Sequence, residues 1–105
     1  MGRRELVERR LSEIAGLAPG PSRRGHANPF FLGETEIAHF HGDRRIDIRL
    51  TKEWILQRRA EGTWDDRVRT HGPNSHWGAL ELASESDVEL AVALVRAAAR
   101  TNAPR

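Results

Sequence analysis

The sequence predicts an α+β two-layer sandwich, a mainly antiparallel sheet of about four strands with three helices on one face. Three observations predict it. Apolar residues recur at helical spacing near both ends of the chain and once in the middle. The segments between them alternate apolar and polar residues, as half-buried strands do. Three of those segments follow one another across short turns, so they pair as antiparallel hairpins. The order is helix, three strands, helix, strand, helix. A sheet with one apolar side needs the helices to cover that side.

Residues 3–16 form the first expected helix, with Leu6, Val7, Leu11 and Ile14 on one side and Gly16 as its stop. Pro19-Gly20-Pro21-Ser22 reads as a rigid connector, so residues 1–24 are a helix and its link to the sheet. His26 to Leu32 is a strand bent by Pro29, which suits an edge. Gly33-Glu34 turns, Thr35 to His41 alternates, and Ile46 to Leu50 alternates again. Thr51 caps a helix running to about Ala60, with Trp54 and Ile55 inward and Gly62 at its end. Residues 63–75 are mostly loop, with Val68 in a short strand. His76 to Leu82 is the fourth strand. Ser84 and Asp87 have capping-box spacing ahead of the helix of Val88, Ala91, Val92, Val95 and Ala99. Residues 101–105 read as a frayed tail.

At 105 residues the chain is a single domain, expected to bury about 65% of its unfolded surface. Hydrophobic residues are 38% and charged residues 30%, the usual balance of a soluble domain. The absence of cysteine excludes disulfides, thiolate metal sites and Cys nucleophiles. No apolar run reaches the ~18 residues of a membrane span, and the start of the chain has no apolar signal core, so a cytoplasmic protein is expected. The pI of 10.3 suggests a nucleic-acid binder, yet the net charge is only +2. Sixteen of the 17 basic residues are arginine, whose high pKa drives the pI up, and acidic residues are interspersed among them. With no basic stripe, neither nucleic acid nor membrane is an expected partner. A small-molecule ligand is, with the chain a monomer or homodimer.

The most informative stretch is Ile37-Ala38-His39-Phe40-His41-Gly42-Asp43-Arg44-Arg45-Ile46-Asp47-Ile48-Arg49-Leu50. Opposed residues in a hairpin share a face, so loop length sets the chemistry of that face. A two-residue loop mixes apolar and polar positions. A three-residue loop, Asp43-Arg44-Arg45, sets His41 against Asp47, Phe40 against Ile48, His39 against Arg49 and Ala38 against Leu50. Ala38, Phe40, Ile46, Ile48 and Leu50 then face the helices, and His39, His41, Asp47 and Arg49 face outward. A carboxylate opposite His41 fixes its tautomer and poises it as a general base. Arg49 beside His39 offers positive charge to an anion. Trp77, on the opposite parity from Gly78, Leu80 and Leu82, adds an aromatic wall.

Two readings compete with catalysis. The outer face of an antiparallel sheet is often merely solvated and carries such residues without chemistry. Alternatively, His39 and His41 could ligate a divalent metal, with Asp47 as a third ligand. Gly33 followed by His39-x-His41 matches the opening of the cupin metal motif, but Arg45 and Ile46 stand where that motif has Glu. No glycine-rich phosphate loop and no Gly-x-Ser-x-Gly elbow is present.

Glu36-Ile37-Ala38-His39-Phe40-His41-Gly42-Asp43, followed by Ile46-Asp47-Ile48-Arg49-Leu50-Thr51, resembles the small luciferase-like domain family of fungal luciferases and small bacterial proteins. Pro73-Asn74-Ser75-His76-Trp77, then Asp87-Val88 and the helix over Ala91 to Val95, extend the resemblance over roughly residues 25–100. His76 stands where the family usually has Gly. The resemblance implies oxidation of a hydroxylated pyrone by molecular oxygen without metal or flavin. His39, His41, Asp47 and Arg49 are the matching residues of the right type: His39, His41 and Asp47 are the expected catalytic residues, and Arg49, with Trp77 and His76 beside it, the expected ligand contacts. The expected function is thus a cofactor-free oxygenase or proton-abstraction catalyst on a small enolic aromatic. The alternatives are a ligand-binding or protein-interaction module on the same face, and a His-x-His metal protein.

Overall fold

The computed structural model describes residues 2–22 and 27–104. The elements are α1 (Arg3–Leu11), β1 (Leu17–Pro19), β2 (Ala27–Leu32), β3 (Thr35–His41), β4 (Arg45–Arg49), α2 (Lys52–Glu61), β5 (Val68–Thr70), β6 (Trp77–Glu81) and α3 (Glu85–Thr101). The strands form one antiparallel sheet in the order β1-β2-β3-β4-β6-β5. One face is apolar. Phe40, Ile46, Ile48 and Leu80 from the sheet join Val7 and Leu11 of α1, Ile55 of α2 and the Val88 to Ala98 stripe of α3 in a single buried cluster. Among the described residues no helix is long and apolar enough to cross a membrane.

The α+β class holds, with six strands among the described residues rather than about four. β1 is the unexpected addition, and β5 is the short strand expected around Val68; both are three-residue edge strands. Elements so short show little periodicity, and short edges resist pairing with other chains. β1 lies in the segment read as a connector. It places Gly20 so close to the Phe31 ring that an added Cβ would come within 2.5 Å of it. β2 is therefore not an edge, although it bends at Pro29: an extra residue separates the Ala27↔Phe40 and Phe30↔Ala38 pairs, and Asn28 takes φ 49°. The expected start of this strand at His26 lies outside the described residues.

The first helix ends at Leu11 and not at Gly16. Ser12 turns its hydroxyl back onto the Arg9 carbonyl at 2.7 Å, an alternative to continuing the helix. Successive i→i+3 turns then carry Ile14 into the core. At the other end the helix continues through Thr101, and the expected tail begins with a latch. Asn102 Nδ2 donates to the Arg49 and Ala98 carbonyls, both at 2.8 Å, and the Thr101 hydroxyl donates to the Leu50 carbonyl at 3.3 Å.

The β3–β4 hairpin closes through three residues, as expected, but they are Gly42-Asp43-Arg44. Gly42 takes φ +65°, a conformation foreign to a strand, so it belongs to the turn. The register moves by two: His39 faces Asp47, His41 faces Arg45, Phe40 faces Ile46 and Ala38 faces Ile48. A shift of two preserves parity, so the apolar and polar faces remain as expected.

Asp87 anchors the start of α3. Its Oδ2 accepts from the Ala83 N–H at 3.0 Å, the Ser84 N–H at 2.9 Å and the Ser84 hydroxyl at 3.1 Å, and Arg67 donates to Oδ1 at 3.1 Å. Burial pushes its pKa up, but these hydrogen bonds together outweigh burial and hold the carboxyl below its usual range. A depressed carboxyl stabilises the fold above the unfolded pKa of about 4 and loses that contribution as pH falls further. Asp87→Asn is expected to cost about 1 kcal/mol at neutral pH. The gap from wild type should narrow on acidification below about pH 4, as measured by denaturant unfolding at both pH values.

Candidate functional site

The face of the sheet away from the helices carries a cluster that begins with Asp47 at the centre of β4. Its side chain is 1% exposed, yet it stays charged. Burial raises its pKa, but the hydrogen bond from His39 and the charges of Arg45, His41 and His39 outweigh that and hold it below the usual carboxylate range. His41 Nε2 lies 2.9 Å from Asp47 Oδ2 and His39 Nε2 lies 3.3 Å from the same oxygen. The two imidazole nitrogens are 3.2 Å apart. Arg45 Nε donates to Oδ1 at 3.1 Å. His71, on the loop after β5, brings its Nε2 to 3.6 Å from Oδ2.

Burial grades the two histidines. His39 is 4% exposed and sealed beneath the Trp77 ring, whose centroid is 4.9 Å away. The His41 side chain is 39% exposed at the cleft mouth. The cleft has a volume of about 300 Å³ and is lined by Glu36, His39, His41, Arg45, Asp47, His71 and Trp77. Arg45 and His71 also border a wider groove of about 730 Å³ over Ala79. Ala79 pairs with Asp47 on one side and Arg69 on the other, so a small residue separates a buried acid from an exposed arginine. Arg69 has no ion-pair partner among the described residues.

Of the expected site residues, His39, His41, Asp47 and Trp77 come together. Arg49 and His76 do not. Arg49 stands opposite Trp77, but its guanidinium bonds to Asn102 Oδ1 at the end of α3. Arg45 takes the place expected for it, because the turn, shifted one residue earlier, puts Arg45 in β4 with the parity of Asp47. His76 holds the start of α2. Its carbonyl accepts from the Thr51 N–H at 3.0 Å and its Nδ1 from the Lys52 N–H at 2.8 Å. These bonds fix Thr51 at φ 76°, unusual for a β-branched residue.

Glu36 was not among the expected site residues, and strict alternation would place it on the apolar face. The pairs Phe30↔Ala38 and Phe31↔Glu36 leave Ile37 as an extra residue in β3. That bulge reverses the parity and brings Glu36 Oε1 to 3.3 Å from His39 Nδ1. A bulge of this kind has no clear signature in a run of alternating residues.

Asp47→Asn should shift the ring ¹H–¹⁵N resonances of His39 and His41 and leave those of His76 in place, as read by two-bond NMR correlation. His76→Ala should instead lower unfolding stability by about 1 kcal/mol, the value of a lost hydrogen bond, without moving the two cluster histidines.

No curated protein and no solved structure matches the chain. The family model of the luciferase domain matches residues 34–98, more than half of the chain and all of β3, β4 and β6. The segment that builds the cluster is the segment that matches, and the chain belongs to the luciferase domain family.

Proposed function

We propose that this chain is a catalyst that binds a small planar enol or phenol on the open sheet face and handles its acidic proton and negative charge at the His39–His41–Asp47 cluster. The observation that carries this reading is the convergence of two imidazole nitrogens, 2.9 and 3.3 Å away, on one oxygen of a buried carboxylate at a cleft floor. An imidazole held beside a carboxylate takes up the proton that an acidic O–H gives up. His41 is the member a ligand can reach, since His39 lies behind it under Trp77.

The surroundings suit the same ligand class. Trp77 offers a face for a planar ring. Ala79 leaves space where a larger side chain would fill the groove. Arg45 and Arg69 supply positive charge on either side of it, suited to an enolate or a carboxylate. Deprotonation yields the electron-rich form that reacts with molecular oxygen, the oxygenase reaction that the family resemblance implies.

Oxygen consumption with 4-hydroxy-2-pyrones tests the reading. Turnover is expected in the wild type, with a loss of about 10²-fold or more in His41→Ala, the usual range for a lost proton acceptor. Arg69→Gln should raise KM by about tenfold with kcat little changed, the signature of lost uniform binding. Binding of the pyrones without turnover would favour a non-catalytic ligand carrier, and neither binding nor turnover would overturn the reading.

A further inference from the structure

The triangle formed by His39 Nε2, His41 Nε2 and Asp47 Oδ2 has edges of 2.9, 3.2 and 3.3 Å. Atoms bound to one first-row transition-metal ion at about 2.0–2.2 Å stand about 3.0–3.4 Å apart, the lower value for octahedral and the upper for tetrahedral geometry. The observed edges span nearly that range. Glu36 Oε1 lies 3.3 Å from His39 Nδ1 on the far edge of the ring, a charge contact that orients the imidazole. His39 Nε2, which gives Asp47 a hydrogen bond without a metal, would offer its lone pair to the ion once one binds. A cation at the centre would serve all three atoms at once.

The neighbours of the triangle act as outer supports. A carboxylate behind a ligating imidazole is the usual way its tautomer and orientation are fixed. Arg45 donates to Asp47 Oδ1 at 3.1 Å and to Oδ2 at 3.4 Å, which steadies the carboxylate while Oδ2 also faces the imidazoles. His39 and Asp47 are buried and fixed in adjacent strands. The His41 side opens to the cleft, so positions beyond the three protein ligands face solvent or a bound molecule. Two imidazoles with one carboxylate suit divalent iron, cobalt or zinc better than magnesium or calcium, which prefer oxygen-only shells.

We propose that His39, His41 and Asp47 bind one divalent first-row transition-metal ion, with its remaining coordination positions open to the cleft. The inference rests on the small-ligand reading only for what fills those positions. Glu36 and Asp47 against Arg45 leave the site with one excess negative charge, and a divalent ion reverses that sign, so an enolate oxygen is the fitting occupant. His71 stands outside the triangle, its Nε2 3.6 Å from Asp47 Oδ2, and is not one of the ligands.

Co²⁺ is the probe. Chelator-treated protein is titrated with Co²⁺ and followed by visible absorption and native mass spectrometry. One Co²⁺ per chain with ligand-field bands is expected. Binding should weaken by about ten- to a hundredfold in Glu36→Gln, the range for loss of a support behind a ligand, and at least as much in the half-exposed variant His41→Ala. Asp47→Asn, checked for folding by circular dichroism, should lose the bands. No uptake by the wild type, or uptake unchanged in His41→Ala and Asp47→Asn, overturns the proposal. Oxygen consumption separates it from the functional reading. Turnover of 4-hydroxy-2-pyrones by protein that takes up no Co²⁺ sinks the metal site alone. Stoichiometric Co²⁺ binding with no pyrone engagement sinks the functional reading alone.

Discussion

A charged carboxylate at the middle of a sheet constrains nearly everything on the open face of this protein. Asp47 sits between Ile46 and Ile48, which point into the core, and is itself as buried as they are. An ion so placed is costly unless its lone pairs are occupied and its charge opposed. The strand on one side supplies imidazoles, its own strand supplies Arg45, and the loop after β5 brings His71. The strand on the other side supplies only Ala79. The compensation is lopsided, and the uncompensated side is where a groove runs.

Half of this arrangement is written in the chain as parity. His39, His41 and Asp47 alternate with Ala38, Phe40, Ile46 and Ile48, and any odd loop between the strands puts the polar set together. The register within that parity was not legible, because several odd loops satisfy the same pattern. Gly42 decides it by entering the turn, and with it the identity of the arginine that reaches Asp47. Trp77 was readable for the same reason as the histidines, since Gly78, Leu80 and Leu82 set the parity of β6.

Arg49 and His76 show where alternation runs out. Arg49 has the correct parity but sits at the end of β4, where a long side chain reaches around the sheet to Asn102, 53 residues later. His76 lies outside the regular part of β6, where the backbone of α2 claims its ring nitrogen. Parity assigns a face only within a paired strand. At strand ends, a flexible side chain and the nearest free helix terminus decide instead. The edge strand β1 escaped for a related reason: it is shorter than one full alternation can reveal.

The Ile37 bulge has a consequence for how this domain can vary. Removing one residue at that position would restore simple alternation in β3 and swing Glu36 toward the hydrophobic layer, while the histidine pair and its acid kept their places. A single-codon deletion would thus strip the second carboxylate from behind His39 more completely than most point substitutions nearby. Among homologues, indels at this spot would separate proteins with an acid-backed histidine from those without one, and so mark a boundary between chemistries that residue identities alone would not reveal.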